Sequence, residues 1–128
     1  STAMSYPSNY GYIPQTLSED GDPLDVFVIA PHAVAVGSII RSRPVGVMYM
    51  EDEAGIDAKI IAVPHSKLTP LYNNIKDLND LPQLQLEQMK HFFEHYKDLE
   101  QGKWMKFNGW GNIGEARTEI LKSIQAYK

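Results

Sequence analysis

The 128-residue chain contains no cysteine. That excludes a disulfide scaffold and a thiolate zinc site, and it suits a reducing compartment such as the cytoplasm. Long apolar runs are absent too. None approaches the roughly 18 residues that span a bilayer, and no charged segment leads into an apolar stretch as in a signal peptide. Basic residues are missing from the first forty positions, where Arg41 has yet to appear and Glu19, Asp20, Asp22 and Asp25 stand uncompensated. The whole chain carries a net charge of −4, which argues against a nucleic-acid-binding surface. Neither nucleic acid nor membrane is therefore expected as a partner. What is present is enough for one domain over residues 1–128: 43% of the side chains are hydrophobic, too many and too evenly spread for disorder.

Local patterning divides the chain in two. Pro7, Gly11, Pro14, Gly21 and Pro23 leave no room for a helix in the first 25 residues. There Tyr6, Tyr10 and Tyr12 alternate as on one face of an extended segment. Val26 to Ala30 reads as a buried strand, and Ser38 to Met50 as a strand pair or one bent strand interrupted at Pro44 and Gly46. A turn over Glu51 to Ile56 precedes a strand over Ala58 to Val63. The period then changes. Leu86, Met89, Phe93, Tyr96 and Leu99 follow at helical spacing, so residues 82–99 read as an amphipathic helix. A last strand is expected over Trp104 to Phe107, a turn at Gly109 and Gly111, and a second helix over Ile113 to Tyr127 with Ile120, Leu121 and Ile124 as its apolar stripe. Short strands followed by helices suggest a small β-barrel or sandwich with helices attached.

The acids are clustered. The windows 19–25 and 51–57 hold eight of the sixteen Asp and Glu residues. Asp20 and Asp22 point the same way in extended backbone, and Gly21 and Pro23 permit a turn that brings Asp25 round to them. Carboxylates crowded without a cation repel, so one must protonate or a cation must bind. Such hard oxygen donors suit Mg²⁺ or Mn²⁺; a solvated acidic turn is the competing reading. In the second cluster Glu51, Asp52 and Glu53 precede Asp57. Asp57 and Lys59 share a strand face, either as a plain ion pair or as a metal ligand beside a phosphate clamp. His91-Phe92-Phe93-Glu94-His95 matches the H-x-x-E-H pattern of inverted zincins, in which the two histidines would hold zinc and Glu94 would act as base. That site needs a third ligand, for which Glu115 and Glu119 are available. An OB-type binding module that stacks bases on Tyr10 and Tyr12 is a further reading, opposed by the acidic surroundings.

The segments Asn9-Tyr10-Gly11-Tyr12-Ile13-Pro14 and Asp20-Gly21-Asp22-Pro23-Leu24-Asp25 resemble soluble family I inorganic pyrophosphatase, in its bacterial, hexameric branch. The resemblance continues through Arg43-Pro44-Val45-Gly46-Val47, Asp52-Glu53-Ala54-Gly55-Ile56-Asp57-Ala58-Lys59, Ala62-Val63-Pro64-His65 and residues 75–82 to His91-Phe92-Phe93-Glu94-His95-Tyr96-Lys97. It implies an α+β fold, an OB-like five-stranded barrel with flanking helices, and Mg²⁺-dependent hydrolysis of pyrophosphate to two phosphates. It further implies that Asp20, Asp25 and Asp57 bind a metal pair, that Asp22 takes the proton of the attacking water, and that Asp52 joins Asp57 on a further ion. Lys59, Tyr96 and Lys97 are implied to bind phosphate oxygens, with Tyr10 hydrogen-bonding inside the site. His91, His95 and Asp98 would lie at a subunit contact in a homohexamer. The resemblance also implies a family chain that starts several tens of residues earlier and supplies further strands, two glutamates, a lysine and an arginine. On that basis the barrel is expected to be incomplete at the N-terminus and the chain alone weakly active or inactive.

Overall fold

The computed structural model describes residues 8–95 and 104–128. Its centre is a hairpin. The strand β3 spans Ser42–Asp52, a two-residue tip follows, and β4 spans Gly55–Pro64 with Asp52 opposite Gly55. Gly55 takes φ 125°, a conformation that favours residues without a Cβ, and the Asp52 carboxylate accepts the Ala54 amide at 2.8 Å. β1 (Ser8–Ile13) and β2 (Leu24–Ile29) form a second antiparallel pair. β2 docks parallel to β4, and β5 (Lys106–Gly111) runs antiparallel to β3. The order is thus β1-β2-β4-β3-β5. Among the described residues no pairing joins β1 to β5. The five expected strands make an open mixed sheet in the OB-like arrangement, not a closed ring.

Both faces of the sheet are covered, which explains why β4 reads as a nearly continuous apolar run. Phe27, Met48, Met50, Ile61 and Val63 pack on one face beneath Leu86, Met89 and Phe93 of α1 (Gln83–His95). Leu24, Val47 and Ile60 pack on the other with Ala116 of α2 (Ile113–Tyr127). Fully buried side chains such as Phe93 and Met89 contribute roughly 1.5–3 kcal/mol each. The interruption at Pro44 and Gly46 is a register shift in one bent strand, and it turns Val45 onto the α1 face.

Loops are tied down by side chains. The Arg43 guanidinium donates to the carbonyls of Ile75 and Tyr72, both at 2.6 Å. Asp77 caps the short 3₁₀ turn Leu78–Asp80 and also accepts the Ile113 amide at the start of α2, at 2.8 Å. Asn112 and Glu115 cap that helix reciprocally.

Three expectations need correction. The last strand lies over Lys106–Gly111, so Gly109 and Gly111 belong to it and not to a turn. Glycine serves close packing at 111, where a Cβ would meet Val47 Cγ1 at 2.6 Å, and a positive φ at 109, beside a second register shift. On α2, Ala116 and Ser123 are buried and Ile120 packs half-buried beside them, whereas Leu121 is 64% exposed. Ser38 to Arg41 precede β3 instead of forming part of a strand. For the first helix, Gln83 to His95 are helical as expected, and its further expected extent lies outside the described residues.

Candidate active site

The parallel pairing of β2 with β4 sets Asp25 beside Lys59, and the period-two geometry of β4 puts Asp57 on the same face. Lys59 is the hub. Its Nζ lies 3.1 Å from Asp25 Oδ2, 3.0 Å from Asp57 Oδ2 and 3.1 Å from the Tyr10 hydroxyl oxygen. Only 4% of its side chain is exposed, against 27% for Asp25 and 20% for Asp57. A buried ammonium is tolerable only when its three N–H groups are met by acceptors, and here they are. The rings of Tyr10 and Phe93 complete the surroundings, 5.3 and 5.2 Å from Nζ. Phe93 in turn stacks edge-on with Tyr10 and Phe27, so α1 walls off this part of the sheet.

Electrostatics follow from that geometry. Burial opposes the charge on Lys59, but the Tyr10 oxygen and the Asp57 and Asp25 carboxylates outweigh it, and its pKa lies above the usual lysine value. Asp57 moves upward from the ordinary carboxylate value, chiefly through desolvation and further through the charges of Asp25 and Asp20, with Lys59 opposing. Tyr10 is pushed up to about 12, first by desolvation, so its phenol keeps its proton at neutral pH.

The remaining acids lie around this hub. Asp20 and Asp22 form the tight turn that precedes β2, with Gly21 at φ 88° and Asp20 Oδ1 accepting the Asp22 amide at 2.9 Å. Asp20 is near enough to Asp57 to raise its pKa. Asp20 and Asp57 also line a cavity of about 220 Å³ between this turn and the C-terminal half of α2, with Tyr49, Ile56, Glu119 and Lys122 on its walls. Asp52 sits at the hairpin tip. Tyr96, Lys97 and Asp98 lie outside the described residues.

The carboxylates suit a hard divalent cation in their chemistry: all are oxygen donors, and Asp57 is a group that a nearby cation would relieve. Among the described residues, however, no three carboxylate or histidine side chains are already gathered as a ligand set. Asp25 and Asp57 converge on the ammonium of Lys59. Among the described residues the expected meeting of Asp25 with Asp20 and Asp22 is not drawn into a ligand set, and Asp20 Oδ1 accepts the Asp22 amide. Two features escaped the sequence. The parallel neighbour of β2 could not be read, and so neither could the Asp25–Lys59 contact. Phe93 looked like an ordinary core residue of the helix stripe, and nothing local marked its place beside Lys59.

Histidines and glutamates of the zinc-protease reading are not gathered either. His91 and His95 stack with ring centroids 4.2 Å apart on exposed α1, but Glu115 caps Asn112 and Glu119 pairs with Lys122 at 3.6 Å. The base-stacking reading fares no better, since Tyr10 is engaged by Lys59 and Phe93 and both sheet faces carry a helix.

Comparison with known proteins converges on one family. The model of the family described as inorganic pyrophosphatase matches residues 1–128. The chain is 63% identical over 127 residues to an inorganic pyrophosphatase of Pseudomonas aeruginosa, covering 99% of this chain and 73% of that protein. It is 61% identical over 128 residues to that of Escherichia coli K12, covering 100% of this chain and 73% of the relative. Among solved structures, an inorganic pyrophosphatase from Coxiella burnetii superposes with a TM-score of 0.92 at 49% identity, covering 99% of this chain and 76% of that one. One from Helicobacter pylori superposes at 0.91 with 48% identity, covering 95% and 72%. With the sheet order, the Lys59 hub and the acidic turn already placed, these matches show that the chain belongs to the inorganic pyrophosphatase family.

Proposed function

We propose that this chain hydrolyses inorganic pyrophosphate to two orthophosphates, with divalent cations, Mg²⁺ before Mn²⁺, held by its aspartates. The observation that carries the reading is the convergence of Asp25, Asp57 and Tyr10 on buried Lys59 beside the acidic turn, in a chain of this family. On the family resemblance, Asp20, Asp25 and Asp57 would hold a pair of ions, and Asp52 with Asp57 a further one. Bound there, the ions supply a lowered pKa for the attacking water and neutralise the diphosphate.

The chain's own residues do the rest. Asp22, exposed at the turn, accepts the proton of the attacking water. Lys59 is held cationic by its carboxylate partners, so it presents positive charge to phosphate oxygens and stabilises the charge that builds on the leaving phosphate. Tyr10 stays protonated and offers a hydroxyl in the same place. Tyr96 and Lys97 are assigned to phosphate oxygens on the family resemblance alone. The same resemblance supports one pyrophosphatase domain over residues 1–128, a homohexamer with His91, His95 and Asp98 at a subunit contact, and a cytoplasmic setting. Among the described residues, no helix is long and apolar enough to cross a membrane.

Turnover of two variants tests the assignment. Asp22→Asn should lose at least about 100-fold in phosphate release, the usual worth of a general base, while Glu94→Gln should stay near wild type. The opposite pattern would restore the zinc-hydrolase reading.

A further inference from the structure

Among the described residues, three polar side chains are buried: Thr16, Lys59 and Ser123. The mechanism above uses only Lys59. Thr16, 2% exposed, stands on the segment 14–23 that joins β1 to β2 and carries Asp20 and Asp22. That segment is longer than an ordinary hairpin loop, so its middle needs ties to keep one shape. Gln15 takes φ 60°, uncommon for a residue with a side chain, and there the chain doubles back on β1. The Thr16 hydroxyl donates to the Ile13 carbonyl at 2.5 Å and accepts the Leu24 amide at 2.9 Å. Ile13 and Leu24 are the last partners of the β1–β2 ladder, so one hydroxyl closes the base of the segment as an added rung. Beyond it, the Ser18 amide donates to the Asp22 carbonyl at 2.7 Å and the Gly21 amide to the Ser18 carbonyl at 3.0 Å. The Leu17 amide donates to the Ser123 carbonyl of α2, also at 3.0 Å.

We propose that Thr16 is a positioning residue for divalent-cation binding: its hydroxyl clasps the segment 14–23 in the arrangement that sets Asp20 and Asp22 near Asp25 and Asp57. The proposal rests on the metal-dependent reading above and extends it to a residue that is not itself a ligand. Leu24, held by the clasp, directly precedes Asp25, and Asp20 lines the same cavity as Asp57. The clasp therefore joins the two stretches that supply the carboxylates. A buried donor and acceptor left without partners cost their desolvation, which local opening to water relieves. Opening at the base would let the acidic turn swing away from Asp57, and ligands misplaced by about an ångström hold an ion poorly. The requirement is for the hydroxyl and not for the bulk: serine supplies it, and valine, of nearly the same shape, does not.

The test is a Mg²⁺ titration of the ¹⁵N-labelled 128-residue chain, read on the backbone amides of Gly21, Asp22 and Asp25. Thr16→Val should weaken Mg²⁺ binding at least about tenfold, the usual effect of removing a group that orients metal ligands, and Thr16→Ser should restore it. A second measurement needs no variant. By linkage, a clasp that favours the ion must be strengthened by the ion, so saturating Mg²⁺ should slow hydrogen exchange of the wild-type Leu24 amide more than that of the β3 core amides. Wild-type affinity in Thr16→Val, an equal loss in Thr16→Ser, or a Leu24 amide whose exchange ignores Mg²⁺ would overturn the proposal. Phosphate release by the wild-type chain is assayed alongside. Mg²⁺ binding without release would count against the hydrolase reading alone, since the clasp is judged on binding and exchange.

Discussion

Replacing Lys59 by methionine isolates what the hub contributes. Methionine fills nearly the same volume and keeps contact with the Tyr10 and Phe93 rings, so the change removes charge and hydrogen bonds more than packing. At an effective dielectric of about 20, a unit pair about 3 Å apart interacts by about 5 kcal/mol, and Lys59 makes two such contacts, at 3.1 and 3.0 Å. Most of that is cancelled by the cost of burying the ammonium and by the partial exposure of both carboxylates. Loss of one partner still leaves two half-sheltered carboxylates facing each other, so Lys59→Met should destabilise the metal-free protein by about 2–4 kcal/mol near neutral pH. The pH dependence has a definite sign. Asp57 already has a raised pKa in the folded state, so its ionisation costs stability as pH rises from the ordinary carboxylate value through that raised one. Lys59 opposes the rise, and its removal extends the window upward. The deficit should therefore shrink as pH falls from neutral through the raised Asp57 value and that carboxylate takes a proton, and shrink also on adding Mg²⁺ at neutral pH. Urea unfolding with EDTA, followed by tryptophan fluorescence, measures this. Equal or greater stability of the variant near neutral pH, or a deficit that grows on acidification, would refute the reasoning.

Three further outcomes follow from the packing. Gly46→Ala places a Cβ 2.8 Å from Leu78 Cδ1 and 3.0 Å from the Gly111 oxygen, so a loss of about 1–3 kcal/mol is expected in chemical denaturation. Asp77→Ala removes the cap of the 3₁₀ turn together with the tie to the Ile113 amide, and should cost about 1–2 kcal/mol by the same assay. The Asp80 carboxyl is held below the usual range by the amides of Lys76 and Asp77. Its contribution is present above the unfolded carboxylate pKa and fades as pH falls through the lower folded value, so Asp80→Asn should flatten the acid limb of the stability profile in that window.

How much of this was legible in the sequence depends on the range of the interaction. The turn expected over Glu51 to Ile56, which the structure narrows to Glu53-Ala54, the shared face of Asp57 and Lys59, the bend at Pro44 and Gly46, and the helix stripe Leu86, Met89 and Phe93 are local patterns that reappear in the structure. The site was half legible. Asp20, Asp22 and Asp25 stood out because no Lys or Arg is near them in the chain, but the partner that neutralises Asp25 comes from β4, 34 positions away. Only the parallel pairing reveals it, and strand order leaves no local mark. Gly109 and Gly111 misled for a related reason. Glycine marks turns by its freedom of φ, yet Gly111 is small because Val47 and Glu115 press against it. Leu121 misled because helical spacing identifies a stripe without saying which flank of α2 meets the sheet.

The central claim is that the aspartates around Lys59 hold divalent ions and make this chain a pyrophosphate hydrolase. Its most direct test is phosphate release from pyrophosphate by the mass-verified 128-residue chain, in Mg²⁺ and in EDTA, beside Asp25→Asn. The account predicts release above the uncatalysed background in Mg²⁺, however slow, abolished by EDTA and by the substitution. No release in Mg²⁺, or release that persists in EDTA or in Asp25→Asn, would contradict it.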